Sequence, residues 1–149
     1  MAQAYWLMKS EPFKYPFERL VRDGSTHWDG VRNYEARNNL AAMKKGDLAL
    51  FYHSNEGKEV VGVVEIVKES YPDPTTDDER WVVVDVAPVV AFREPVSLGT
   101  IKADPALSEI ALVRRGRLSV VPLTAAEFRH VLALGKTKLP PRRTGRSLA

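Results

Sequence analysis

Five apolar runs, each bounded by turn-forming residues, recur along the chain and predict β-strands. They lie at 5–8, 48–52, 60–69, 81–92 and 118–123. The sequence NEGK at 55–58 separates the second run from the third and predicts a hairpin. Gly62 and Pro88 interrupt two of the runs, which indicates bulges or bends where the sheet curves.

Apolar residues spaced three and four positions apart predict helices between the strands. The segment PFERLVRD at 16–23 is predicted to be a short helix that ends at Gly24. Its apolar face should consist of Phe17, Leu20 and Val21. A second helix is predicted from about Val31 to Met43, with Asp29 as its N-cap.

The later part of the chain mixes short helices with the remaining strands. Residues 71–78, YPDPTTDD, are expected to form an exposed loop, and helical segments are predicted at 97–102 and 105–111. Thr124 should cap a last helix over 125–134. These elements predict an α+β fold, a curved mixed or antiparallel sheet flanked by helices, and a small closed barrel is one form of such a sheet.

Composition places the chain among single-domain proteins and removes several kinds of chemistry. At 149 residues and 44% hydrophobic composition, one core can form without staples. Cysteine is absent, which excludes disulfides, thiolate metal sites and a cysteine nucleophile. No apolar run approaches about 18 residues and no signal-peptide pattern opens the chain, so we expect a soluble, cytoplasmic protein without a membrane partner.

The positive charge is concentrated at the end of the chain. The segment 136–149 holds five of the 22 basic residues and none of the 19 acidic ones, so 1–135 carries 17 basic and 19 acidic residues, a net charge of −2. We therefore predict a folded domain at 1–135 and a basic, disordered tail at 136–149. Any contact of the folded part with nucleic acid should be local, because many phosphate contacts would need a basic body.

Aromatic, amide, hydroxyl and cationic side chains cluster at the ends of predicted elements, in YWLMKSEP at 5–12, WDGVRNYEARNNL at 28–40 and FYHSN at 51–55. Flat aromatic faces beside hydrogen-bonding groups suit a planar ligand such as a nucleobase. The candidate binding residues from these stretches, from the 81–92 strand and from the start of the last strand are Lys9, Ser10, Trp28, Asn33, Arg37, His53, Ser54, Trp81, Arg117 and Ser119.

Each candidate also has a purely structural interpretation. Trp28 can pack in the core instead of forming a pocket wall, and Asn33 can cap a helix instead of reading a base edge. His53 and a serine invite a hydrolase interpretation, but adjacent strand residues point to opposite faces and no G-x-S-x-G elbow is present. The three histidines lack metal-ligand spacing, and the chain lacks GxGxxG and GxxxxGK[ST], so we expect neither a metal nor a nucleotide cofactor.

The same stretches, with VVGVVEIVKESYPDPT at 60–75, REPVSL at 93–98 and GRLSVVPLT at 116–124, carry a resemblance. In order from residue 5 to about 134, they resemble the EVE-domain family of the PUA-like superfamily, which includes the YTH domains and has thymocyte nuclear protein as a eukaryotic relative. The resemblance implies a PUA-like β-barrel flanked by helices. For several relatives it also implies recognition of modified bases in DNA or RNA.

The sequence therefore predicts a nucleic-acid-binding module that reads a modified cytosine or adenine, methylated or otherwise, in an aromatic-lined pocket. The base would come from a single strand or be flipped from a duplex, and weak binding by one domain would leave room for a protein partner that supplies avidity. Two alternatives stay open. One is an enzyme acting on modified nucleotides or RNA with His53 or Lys9 as acid or base, and the other is a protein-interaction module.

Overall fold

A computed structural model describes residues 3–11, 14–54 and 57–140 of the chain. The strands are β1 Tyr5–Ser10, β2 Thr26–His27, β3 Leu48–His53, β4 Glu59–Pro72, β5 Val82–Ser97 and β6 Val120–Leu123. The helices are α1 Phe17–Asp23, α2 Tyr34–Ala42, α3 Leu98–Ala103, α4 Ala111–Arg114 and α5 Ala125–Leu134, with a 3-10 turn at Pro105–Leu107.

The six strands form one mixed sheet in the order β2-β5-β4-β3-β1-β6. Strands β1 and β3 run parallel, and the other neighbouring pairs are antiparallel. The predicted α+β class with a curved mixed sheet is confirmed. Within the described residues the sheet is open, because β2 and β6 lie at its two edges and do not pair with each other.

Bulges between β3, β4 and β5 give the sheet its curvature, as the positions of Gly62 and Pro88 in the sequence predicted. The register shifts between Val60 and Gly62, and again next to Val64, whose partner is Pro88. A Cβ on Gly62 would lie 2.5 Å from the ring of Phe17, so only glycine lets α1 pack this closely on the sheet.

The first helix has nearly the predicted length, but only two of the three residues predicted for its buried face are buried. Gly24, with φ of 83°, ends α1, and its N–H donates to Leu20 O. Phe17 and Leu20 are buried, whereas Val21 is 53% exposed. The prediction for Val21 was wrong because seven residues present only a narrow stripe to the sheet.

The second helix begins later than predicted. Its N-cap is Asn33, whose Oδ1 accepts from Ala36 N at 3.0 Å, and not Asp29. Residues 28–33 are consequently non-helical and can line a cleft.

The loop predicted at 71–78 is also corrected. Tyr71 and Pro72 belong to β4, and Asp73 is buried at 2% exposure. Near the other end of the chain, α3 follows an N-cap at Ser97, and the predicted 105–111 segment divides into the 3-10 turn and the start of α4. The capping box of Thr124 with Glu127 confirms the predicted start of α5.

The core lies between the sheet and the helices. Its largest fully buried side chains include Phe51, Phe128, Leu7, Met8, Leu20 and Leu40. Described residues of the predicted tail contact this body: Lys136 Nζ lies 3.2 Å from Glu94 Oε2, and Leu139 packs against the core. In the part of the chain that the structure describes, no helix has the length and apolar character needed to cross a membrane.

Candidate functional site

A cleft of about 730 Å³ opens where β1 and β3 end. These strands are parallel, with Ser10 opposite His53, so the residues that follow them meet at one edge of the sheet. Strand β6 runs antiparallel to β1 on its other side, which brings the turn before β6 to the same edge, and Lys9 N donates to Ser119 O at 3.0 Å. The lining residues are Lys9, Ser10, Glu11, Lys14, Tyr15, Thr26, His27, Trp28, Asp29, Gly30, Val31, Arg32, Ser54, Gly116, Arg117 and Ser119.

Hydrogen bonds fix the polar groups at the end of β1. Lys9 Nζ donates to Gly116 O at 2.8 Å, and its partial burial lowers the pKa of the Lys9 ammonium. Ser10 Oγ donates to Tyr15 O, and Ser10 O accepts from Ser54 N, both at 2.8 Å. These bonds hold Tyr15 and Ser54 at the cleft.

Trp28 belongs to both the cleft wall and the core. It lines the cleft, yet only 8% of the residue is exposed. Its ring meets the ring of Phe51 edge-on, with centroids 5.5 Å apart, and its backbone N–H donates to Val84 O at 2.8 Å. The two interpretations of this tryptophan are therefore not alternatives, because core packing is what holds the wall in place.

The segment after Trp28 is attached to the sheet by the buried carboxylate of Asp73. Asp73 Oδ2 accepts from Gly30 N at 3.2 Å and from Arg32 Nη1 at 3.0 Å. Asp73 Oδ1 accepts from the amide and hydroxyl of Thr75 at 2.7 and 2.5 Å. Burial opposes ionisation of this carboxyl, but the hydrogen bonds from Thr75, Arg32 and Gly30 prevail and lower its pKa to about 2.

The family of the chain follows from comparison with known proteins. The sequence model of the EVE domain matches residues 4–134. The chain belongs to the EVE-domain family. Thymocyte nuclear protein 1 of Mus musculus is 39% identical over 168 residues, and the match covers 90% of this chain and 74% of the mouse protein.

Solved structures show the same fold. A protein from Agrobacterium tumefaciens superposes with a TM-score of 0.90 at 48% identity, covering 93% of this chain and 97% of that one. Human THYN1 protein, in complex with 5-methylcytosine-containing DNA, superposes with a TM-score of 0.84 at 36% identity, covering 91% of this chain and 99% of that one. A YTH domain at 16% identity and a TM-score of 0.59 shares the fold.

Six of the ten candidate residues meet at the cleft of this EVE domain. They are Lys9, Ser10, Trp28, Ser54, Arg117 and Ser119. The other four, Asn33, Arg37, His53 and Trp81, do not line it. Each of the four has contacts with other parts of the protein.

Asn33, the N-cap of α2, and Arg37, on α2, both make contacts within the protein. The side-chain oxygen of Asn33 is engaged in the cap of α2, and the residue borders a smaller cleft with Arg117. Arg37 Nε donates to Arg80 O at 2.7 Å, and its Nη1 donates to Asn38 Oδ1 at the same distance.

His53 and Trp81 also have internal partners. His53 Nε2 accepts from Phe17 N at 3.2 Å at the start of α1, and desolvation lowers the pKa of its imidazole despite opposing effects of Glu59 and Glu18. Trp81 packs against Tyr34, with centroids 5.2 Å apart, and under the guanidinium of Arg32. It forms an aromatic surface patch at the start of β5.

Sequence reasoning missed several lining residues, most of them on loops and two, Thr26 and His27, on β2. The missed residues are Glu11, Lys14, Tyr15, Thr26, His27, Asp29, Gly30, Val31, Arg32 and Gly116. The misplaced start of α2 explains the omission of 29–32, since a helix beginning at Val31 would have turned this segment away from the cleft. The sequence did contain a signal, because the capping residue Asn33 marks a later start.

The titratable groups do not form a metal centre in the portion of the chain described by the structure. Among residues 3–11, 14–54 and 57–140, no three His, Asp or Glu side chains lie close enough together to hold an ion. What the cleft offers is an aromatic wall, hydroxyls and cations, together with the carboxylates of Glu11 and Asp29, which face Lys14 and His27.

Proposed function

We propose that this EVE-domain protein binds a modified base, such as a methylated cytosine or adenine, that is unpaired or turned out of a DNA or RNA strand. The observation that carries the proposal is the cleft itself, in which Trp28 stands beside Ser10, Ser119 and Arg117. Its volume of about 730 Å³ lies within the usual range of small-molecule sites, roughly 300–1,000 Å³. The human relative captured with 5-methylcytosine-containing DNA supports the same class of ligand.

The charges around the cleft suit a ligand with few phosphates. Arg32 is paired with Asp73, and Lys14 with Glu11. Lys9 and Arg117 remain available to a phosphate next to the bound base. This balance favours local contact over binding along an extended backbone.

Hydrogen bonds must supply most of the selectivity for the modification. Flipping a base costs a few kcal/mol, and stacking on one aromatic side chain returns about 1–3 kcal/mol. Burying one methyl group adds only about 0.8 kcal/mol. The hydroxyls of Ser10, Thr26 and Ser119 line the cleft and are suited to contact the base edge.

Binding by one domain is expected to be weak, so a protein partner or second copy would raise affinity through avidity. A cytoplasmic location stays a prediction, to be checked by fractionation.

The alternative function, a protein-interaction module, would need a broad apolar patch. Among the described residues, the exposed large apolar side chains are Val21 on α1 and Tyr34 on α2, which does not favour that alternative.

The proposal is tested by titrating the protein with short single strands that contain 5-methylcytosine, N6-methyladenine or only unmodified bases. At least one modified strand should bind several-fold more tightly than its unmodified counterpart. Trp28→Phe should weaken this binding, because it shortens the aromatic wall while keeping a ring against Phe51.

Trp6→Phe is the matched control, since Trp6 is a buried tryptophan whose Nε1 donates to Asp47 and which does not line the cleft. Circular dichroism must show both variants folded. Equal affinity for all strands, or equal loss in both variants, would contradict the proposal.

A further inference from the structure

A second cleft of about 300 Å³ opens beside the first. Lys9, Ser54 and Gly116 line both clefts, so a ligand can extend from one to the other across these three residues. The second cleft is lined by Lys9, Tyr52, Ser54, Lys58, Leu98, Lys102, Leu112, Val113 and Gly116. It combines an apolar wall with three ammonium groups.

Two of these cations are not neutralised by the part of the protein that the structure describes. Within residues 3–11, 14–54 and 57–140, Lys58 and Lys102 form no ion pair, and no carboxylate lines the second cleft. The nearby arginines differ, because Arg114 pairs with Glu109 and Arg115 pairs with Glu35. The second cleft therefore carries uncompensated positive charge, whereas the two neighbouring arginines are neutralised by carboxylates.

The backbones that carry the two lysines are tied together. Lys58 precedes β4 and Lys102 lies in the last turn of α3, which follows β5. Lys58 O accepts from Leu98 N at 2.8 Å, next to the pairing of β4 with β5. The two ammonium groups thus project from elements that are fixed to each other, which suits a single anion better than two independent surface lysines would.

We propose that the second cleft holds the nucleotide adjoining the bound base, with Lys58 and Lys102 on its phosphate and the apolar wall against its sugar or base. This inference rests on the proposed function of the first cleft. It implies that the protein recognises at least two nucleotides and that the two clefts have different roles. The first reads the modification, and the second supplies affinity that depends on length and salt.

The test compares binding of 5-methyl-2′-deoxycytidine with binding of dinucleotides that carry the same base at the 5′ or the 3′ position. The modification that binds best in the first experiment replaces 5-methylcytosine if it differs. For the parent protein, one of the two dinucleotides should bind at least five-fold more tightly than the nucleoside. The double variant Lys58→Gln/Lys102→Gln should lose most of this gain and of its salt dependence, with a smaller part left from Lys9 and Arg117, while keeping the parent affinity for the nucleoside.

Lys44→Gln/Lys45→Gln is the matched control. Both lysines are exposed in the turn before β3, at the opposite end of that strand from the clefts, roughly 20 Å away at 3.3 Å per residue. The control should behave like the parent protein. A length gain that survives undiminished in Lys58→Gln/Lys102→Gln, or is lost equally in the control, would overturn the second site.

The two proposals fail in different ways. Binding of the nucleoside without a gain from either dinucleotide would overturn the second site alone. Absence of binding by nucleoside, dinucleotides and longer single strands alike would overturn the proposed function as well.

Discussion

Replacing Asp73 by asparagine should destabilise the protein and loosen the cleft at the same time. The carboxylate is fully buried, and it joins Gly30 and Arg32 of the cleft wall to the loop at Thr75. Asparagine keeps the size of the side chain but removes its charge. One hydrogen-bond acceptor is also replaced by a donor that faces other donors.

The magnitude follows from the pKa of this carboxyl. A pKa lowered from 3.8 to about 2 corresponds to about 2 kcal/mol of stability at neutral pH, since one pKa unit is worth about 1.4 kcal/mol. Removing one member of a buried ion pair costs about 3–5 kcal/mol, but the Arg32 side chain is 39% exposed and water can solvate it. We expect a loss of about 2–3 kcal/mol at pH 7, or a fall in Tm of about 5–10 °C.

The pH dependence separates this electrostatic contribution from simple packing. Because the folded-state pKa is lowered, the stabilisation is complete above the unfolded value of 3.8 and is lost as the pH falls through about 2. Urea unfolding of the parent and Asp73→Asn between pH 7 and pH 2 should therefore show two curves that converge below pH 4. Binding of the modified strand by Asp73→Asn should weaken in parallel at pH 7.

Asp78→Asn is the control for this experiment. Asp78 also has a pKa of about 2, lowered chiefly by a hydrogen bond from Arg80, but its side chain is 33% exposed and Arg80 is 59% exposed. Asp78→Asn should change stability little, because water screens such a pair. Equal stability of Asp73→Asn and the parent at pH 7, or a constant difference down to pH 2, would refute the reasoning.

Two further predictions concern His53 and the end of the chain. Burial lowers the pKa of His53, so its neutral form contributes stability that is complete above pH 6.5 and is lost as the pH falls through the folded-state pKa. His53→Gln should flatten the pH dependence of urea unfolding just below pH 6.5. Mass spectrometry after prolonged incubation with modified strands should show no product, and a product lost in His53→Gln would contradict binding without chemistry. Deleting 141–149 removes Arg142, Arg143 and Arg146 and should lower the salt slope for long single strands by up to about two. Loss of the base preference in that deletion would place these cations in the recognition site.

Local signals in the sequence located most of the regular elements. Gly24 and Thr124 end and begin helices through contacts within a few residues, and the interruption at Gly62 marks a bulge. Such features depend on neighbouring residues and are readable from a single sequence. The same holds for the end of β1, where Lys9 and Ser10 were expected at the cleft.

The sequence does not reveal contacts whose partner is distant in the chain. Asp73 looks like one more polar residue of a surface loop, yet it bonds to Gly30 and Arg32, 43 and 41 positions away. At His53 the sequence likewise gives no sign of Phe17 N, 36 positions away, which donates to its ring nitrogen. Aromatic character likewise does not distinguish Trp81, which packs on Tyr34, from Trp28, which lines the cleft.

The construction of the cleft wall determines which substitutions should affect affinity and which should affect selectivity. Residues 28–33 lie outside helices and strands, and they are held by Trp28 N on Val84 O, by Asp73 and by the cap at Asn33. A wall held from behind can offer its aromatic face without rearranging, which lowers the entropic cost of binding. Changes behind the wall should therefore weaken binding of every base together with stability, whereas Ser119→Ala should alter the preference among bases while leaving stability nearly unchanged.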